Sequence, residues 1–309
     1  MKKVKNILKF IAYTTAFTAI YNKAVAILAT GLNILKTNEG KEFLWDYGKV
    51  YYEKKGEGSP VLLLHDLTSA SSGYEWSKIA DKLAENHTVY IPDLLGCGRS
   101  DKPGSSYSNF LYVKFLTTFL KEEIGEPCTI VSSGKSSSFA LLSSTFTSDL
   151  INEVICINPA DPYGYDQSKS FKDKLINTVL SVPIYGTLAY NHYLSQEKLK
   201  KLFIEKYFCE ESDEIKNHVQ AYHEAAHKKL RFARNFLAAE KLNYCVLPVK
   251  HILSDLKFDV KLIFGAEEDC ASDIAEKYKE LNGNISIEFI SDTKYLPQLE
   301  KAEEILKLL

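Results

Sequence analysis

His223, Glu224 and His227 stand in the order HExxH. On a helix that spacing sets two imidazoles on one face for a zinc ion, with the glutamate as general base. Lys228 and Lys229 follow directly and would put positive charge beside a dication. Glu240 is left as a third ligand, without a motif of its own. The segment therefore reads as an exposed helix, and no metal is expected. Gly134-Lys135-Ser136 opens another helix in the manner of a phosphate-binding loop. The pattern GxxxxGK[ST] needs glycine at 129, where Thr129 stands, and Ile130 and Val131 belong to a strand. No loop remains to cradle a phosphate, so no nucleotide or other cofactor is expected. The chain has seven histidines, the last being His251, so a base drawn from 252–309 must be another residue type.

These residues need elements to position them. Apolar runs at 61–65, 88–93, 128–132, 153–158, 260–264 and 286–290 predict strands, and a hairpin at 43–47 and 50–54 turns at Gly48. Helical spacing covers 76–84, 109–124, 136–146, 273–281 and 299–308. Alternating strands and helices imply an α/β protein, a mostly parallel sheet with helices on both faces. Residues 160–255 hold no clear strand and read as an inserted helical block. The expected units are an N-terminal helix over 1–40, a core over 41–159 and 256–309, and the block over 160–255. Forty acidic residues against 38 basic ones remove the electrostatic case for a nucleic-acid partner. Six cysteines stand singly without a CxxC pair, which suits a reducing, cytoplasmic compartment.

Three segments carry a family resemblance. Val61-Leu62-Leu63-Leu64-His65-Asp66 looks like a strand and the HG turn after it. Asp93-Leu94-Leu95-Gly96-Cys97-Gly98-Arg99-Ser100-Asp101-Lys102-Pro103 is similar to a D-x-x-G-x-G-x-S-x-x-P loop. Leu262-Ile263-Phe264-Gly265 leads into Glu268-Asp269 like a strand that carries an acid. Together they resemble the α/β-hydrolase fold over residues 41–309, with 160–255 where that family places its helical cap. The resemblance implies a Ser-acid-His triad, with the serine on a sharp G-x-S-x-G elbow. Two registers fit. Without gaps from the strand, Ser132-Ser133-Gly134-Lys135-Ser136 puts Gly134 at the nucleophile position. Shifted by two, Gly134-Lys135-Ser136-Ser137-Ser138 makes Ser136 the nucleophile. The ungapped register is preferred, because the shift lengthens the strand and sets bulky Phe139 where a small residue packs.

The other triad positions are irregular too. Tyr295-Leu296-Pro297-Gln298-Leu299-Glu300 resembles the family's H-x-P-x-x-E, so Tyr295 occupies the histidine position. A phenol titrating near 10 cannot do an imidazole's work at neutral pH. The acid falls on Glu268, with Asp269 one residue late and Asp161 a third candidate. The oxyanion region would be His65, Asp66 and Leu67, with Lys135 or Ser137 according to register. Asp66 replaces the turn's glycine, and its carboxylate would either oppose an oxyanion or cap the turn. His65 reads as a structural turn residue, and it is the best histidine for an irregular mechanism. Loss of a triad serine or histidine costs about 10⁶ in rate. The expectation is a protein that binds a small apolar or acyl/ester-type ligand between core and cap, with weak or no hydrolysis. The alternatives are an esterase-like serine hydrolase using Ser136, and a membrane-surface protein anchored by residues 1–35.

That third reading comes from the N-terminus. Lys2, Lys3, Lys5 and Lys9 precede an apolar stretch broken by Asn22 and Lys23. It is too short and too polar for a clean span. Ala24-Val25-Ala26 could close a signal peptide. Ile7, Phe10, Tyr13, Phe17, Ile20, Ala24 and Ile27 recur at helical spacing, as in a helix lying on a membrane or on the protein's own body.

Overall fold

A computed structural model describes residues 2–164 and 171–309. The chain opens with α1 (Lys2–Thr30) and the hairpin β1 (Gly40–Trp45) and β2 (Gly48–Lys55). Then follow β3 (Ser59–Leu64), α2 (Ala80–Leu83), β4 (His87–Pro92), α3 (Asn109–Phe119), β5 (Cys128–Ser133), α4 (Ser136–Phe146) and β6 (Ile151–Ile157). Between β6 and the next strand lie α5 (Phe171–Ser181), α6 (Tyr185–Tyr193), α7 (Gln196–Leu202), α8 (Ile215–His227) and α9 (Ala233–Lys241). The chain closes with β7 (Asp259–Gly265), α10 (Ala271–Leu281), β8 (Ser286–Ile290), α11 (Pro297–Glu300) and α12 (Ala302–Leu306).

The eight strands form one sheet in the order β1-β2-β4-β3-β5-β6-β7-β8. Among the described residues, only the β1–β2 and β2–β4 pairs are antiparallel. The fully apolar run of β3 is explained by burial on both faces. Leu62 and Leu64 join the cluster under α3, α4 and α10, while Val61 and Leu63 join the one containing Trp76, Ile79, Leu83 and Ile305. The period-2 alternation of a strand divides them. The helices after β6 bury a separate cluster, with Leu180, Tyr190, Phe203, Tyr207 and Tyr222 packed on Leu296 and Leu299 of the core.

Helix α1 lies against the cap helices with its side chains the other way round from the usual amphipathic arrangement. Thr14 and Thr15 hydrogen-bond the Tyr185 hydroxyl at 3.4 and 2.9 Å. Asn22 donates to the Ile184 carbonyl at 2.8 Å and accepts from the Asn191 amide at 2.9 Å. The apolar stripe, from Ile7 to Ile27, faces outward. The alternative in which that stripe packs on the protein's own body is not what the structure forms. After α1 the chain is clamped: the Ile34 and Leu35 N–H groups donate to the Glu224 carboxylate. Among the described residues, no helix is long and apolar enough to cross a membrane.

Candidate functional site

Strand β5 ends at Ser133 and α4 begins at Ser136, so Gly134 and Lys135 make the whole turn. Gly134 has φ +57° and donates its N–H to the Ile157 carbonyl at 2.9 Å. Glycine meets this left-handed geometry without a Cβ penalty. Here it is also required by space, since a Cβ would run into the Asp66 carboxylate and the Tyr295 hydroxyl. Ser132 and Ser136 are fully buried on either side. The Ser136 hydroxyl donates to the His65 carbonyl and so points back into the core. The structure therefore does not place Ser136 as an exposed nucleophile. Ser137 is buried as well, its hydroxyl accepting from Ser132 at 3.1 Å.

The space that glycine leaves is filled. Asp66 turns its carboxylate inward, and Oδ1 accepts the Leu67 N–H and the Lys135 N–H, both at 2.8 Å. These are the turn donor and the post-elbow donor that would hold an oxyanion in this architecture. The Tyr295 hydroxyl donates to Oδ2 at 3.1 Å. Asp66 thus caps its own turn and at the same time ties it to the turn after β5. Burial pushes the Asp66 acid up, opposed by the Lys135 charge, the Lys135 N–H and the Tyr295 hydroxyl.

A second buried carboxylate stands behind the first. Glu75 Oε2 accepts the Asp66 N–H at 2.9 Å, and Oε1 accepts the Tyr222 hydroxyl at 3.1 Å. Burial, and then the Asp66 charge, push Glu75 up to about 8. Burial and the neighbouring Asp66 charge both favour the protonated form of Glu75. Sequence reasoning missed Glu75 and Tyr222. Neither lies in a motif, and nothing in local spacing brings them to Asp66.

His65 is fixed rather than reactive. Its Nε2 accepts the Leu94 N–H at 2.9 Å, which leaves the proton on Nδ1, bonded to the Asp66 carbonyl at 2.7 Å. Burial lowers its basicity further. With both nitrogens engaged, it does not serve Ser136 as a base. Asp93, from the second resembling segment, is fully buried and holds its loop together. It accepts from the Gly73 and Arg99 N–H groups and from the Arg99 guanidinium, at 2.7 to 2.9 Å. A Cβ on Gly98, at φ +46°, would strike that carboxylate.

The acid candidates separate by direction. Glu268 is half-buried beyond β7 and faces a cavity of about 160 Å³, also lined by Lys135, Asn158 and Tyr295. Burial, then Asp269, push Glu268 up to about 7. Asp269 turns outward to an ion pair with Lys206 of the cap, and this partner holds its carboxyl low. Asp161 pairs with Lys277. Asn158 positions the tyrosine loop, donating to the Lys294 and Tyr295 carbonyls at 3.0 and 2.9 Å. Tyr295 stacks on Tyr207 of the cap, with ring centroids 5.4 Å apart.

The HExxH segment lies on α8, and that helix is buried, not exposed as its sequence suggests. His223 and His227 do share a face, with ring centroids 4.3 Å apart. Glu224, however, is committed to the Ile34 and Leu35 N–H groups and to Lys228. Glu240 accepts the Ser69 N–H and hydroxyl at 2.8 and 2.6 Å, on another side of the cap. Lys102 donates to the Ala225 and Ala226 carbonyls, bringing a cation to the same turn. Among the described residues, no three His, Cys, Asp or Glu side chains converge as a metal site.

A family profile described as "alpha/beta hydrolase fold" matches residues 59–170. An uncharacterized protein of Mycobacterium tuberculosis (strain ATCC 25618 / H37Rv) is 40% identical over 76 residues, which is 25% of this chain and 22% of that protein. The chain thus spans about a fifth of the length of the curated relatives it matches. A meta-cleavage product hydrolase from Pseudomonas fluorescens IP01 superimposes with a TM-score of 0.70 at 18% identity, over 87% of this chain and 95% of that one. A membrane phospholipase A, described as a bacterial virulence factor, superimposes at 0.67 and 19% identity, over 100% of this chain and 96% of that one. At these identities the superpositions establish the fold. With the sheet order, the Gly134 elbow and the profile match over residues 59–170 in agreement, the chain has the α/β-hydrolase fold.

Proposed function

We propose that this chain binds a small molecule on the α/β-hydrolase scaffold and does not hydrolyse it. One observation carries the reading: Asp66 Oδ1 holds both backbone donors beside an elbow that has glycine at the nucleophile position. Serine-hydrolase chemistry needs a nucleophile, a base of suitable pKa and an empty oxyanion site. Here the first is Gly134, the second is Tyr295, and the third is filled by a carboxylate. The cavity beside the elbow offers a ligand site of about 160 Å³. That is close to the roughly 150 Å³ of an engineered cavity that takes up benzene, so a ligand of a few heavy atoms fits. Phe264, Ala271 and Ile274 supply apolar wall, while Lys135, Asn158 and Glu268 supply polar groups, a lining suited to a short acyl acid or ester.

Labelling with a fluorophosphonate probe, mapped by mass spectrometry, tests the reading. The expected result is no adduct on the folded chain, together with a thermal shift by butyrate or methyl butyrate that Lys135→Met removes. An adduct on Ser136 that Ser136→Ala abolishes would contradict it and restore a serine hydrolase with an unusual base.

A further inference from the structure

We propose that the outward stripe of α1 is a docking surface for an anionic lipid bilayer, with the helix lying in the interface rather than crossing it. The stripe is exposed along its length: Phe10 is 69% accessible, Tyr13 73%, Phe17 72% and Ile20 69%, and Ile7 and Ile27 extend it in both directions. Every residue from 2 to 13 is exposed, so the first three turns project beyond the body of the protein. A 29-residue helix is about 43 Å long, which makes this a large apolar surface for water to cover.

The opposite stripe decides between lying and crossing. Thr14, Thr15, Thr18 and Asn22 face the cap, three of them hydrogen-bonded to Tyr185, Ile184 and Asn191 of α6 and the turn before it. A spanning helix presents its whole circumference to lipid or to other spans. Here one stripe is committed to a water-facing domain, so only the other is available to acyl chains. The same contact brings the exposed Tyr185 of α6 next to α1.

Charge selects the occupant. Lys2, Lys3, Lys5 and Lys9 cluster on the projecting end, and the chain has no acidic residue before Glu39. A second copy laid on this face in parallel would oppose lysine to lysine. An anionic leaflet supplies both the apolar interior and the counter-charge.

Co-sedimentation of the full chain with vesicles tests the proposal, using phosphatidylcholine alone and with phosphatidylglycerol added. The variant Phe10→Ser/Phe17→Ser/Ile20→Ser changes only exposed side chains, so its fold is expected to persist and is verified by circular dichroism. It should lower partitioning by about 100-fold or more. Replacing Lys2, Lys3, Lys5 and Lys9 by glutamine should cost about five-fold per lysine on the anionic vesicles and little on the neutral ones. Three results would each overturn the proposal: no sedimentation of the full chain with either vesicle, binding that the triple serine variant retains, or a solution dimer that the same variant converts to monomer.

Discussion

The elbow and the N-terminal helix treat polar and apolar groups in opposite ways. At the elbow two carboxylates are buried, and each oxygen of Asp66 has a hydrogen-bond donor. On α1 large apolar side chains stand in water while threonine and asparagine are packed inward. Family chemistry would make the elbow the open, unsatisfied part of the molecule. Instead it is closed by groups of the chain itself, and the unsatisfied surface lies on α1. Buried polar groups are tolerated when they are hydrogen-bonded, whereas an exposed apolar stripe calls for a partner. Both proposals rest on this difference: docking at the outer stripe of α1, and an elbow that holds a ligand without hydrolysing it.

The contrast breaks most readily at Asp66. Asp66→Leu would leave the Leu67 and Lys135 N–H groups buried without an acceptor, and should cost about 3 to 5 kcal/mol in chemical denaturation. Asp66→Asn keeps an acceptor oxygen there and should cost about 1 kcal/mol. Equal losses for the two variants would mean that the donors are not held by this side chain. Gly134→Ala comes next. Its left-handed backbone and the clash with Asp66 and Tyr295 should cost about 3 kcal/mol. In an Asp66→Gly background the same change should cost at least about 1 kcal/mol less, a coupling that a double-mutant cycle reads directly.

Glu75 gives a pH test. Its carboxyl lies near 4.5 in an unfolded chain and is raised to about 8 in the fold. The folded state therefore holds the proton more tightly, and this group's contribution falls as pH rises from about 4.5 to about 8. Glu75→Gln should remove that slope, making the variant more stable than the parent at pH 8.5 by on the order of 2 kcal/mol and not at pH 4.5. A difference independent of pH would indicate that Glu75 is ionised throughout. The smallest effect belongs to α1: Phe17→Ser/Ile20→Ser should change unfolding in lipid-free buffer by less than about 0.5 kcal/mol. A larger loss would show that the stripe packs on the protein.

Much of the fold was legible because its signals are local. The uninterrupted Val61-Leu62-Leu63-Leu64 run announces a strand covered on both faces, and the alternation of such runs with helical spacing announces the parallel sheet. That Gly134 makes the turn after β5 could be read from register alone. Capping of its own turn was one of the two readings for Asp66, but its bonds to Lys135 and Tyr295 could not be read. Its carboxylate bonds depend on the turn after β3, the turn after β5 and the loop after β8 meeting in space, and these lie 69 and 229 residues away along the chain. Glu75 was illegible for the same reason. The helical stripe of α1 was correctly spaced, yet amphipathicity does not say which side faces inward when both a protein and a membrane surface are available.

The central claim is that the Asp66 carboxylate occupies the two donors an oxyanion would need. It is tested most directly by the amide resonances of Leu67 and Lys135 in the ¹⁵N-labelled protein, compared with Asp66→Ala. The account predicts that both N–H groups lie downfield and exchange slowly in the parent, and that both move upfield together in the variant. Amides that exchange freely in the parent, or that do not respond to loss of the carboxylate, would contradict it and reopen the elbow as a catalytic site.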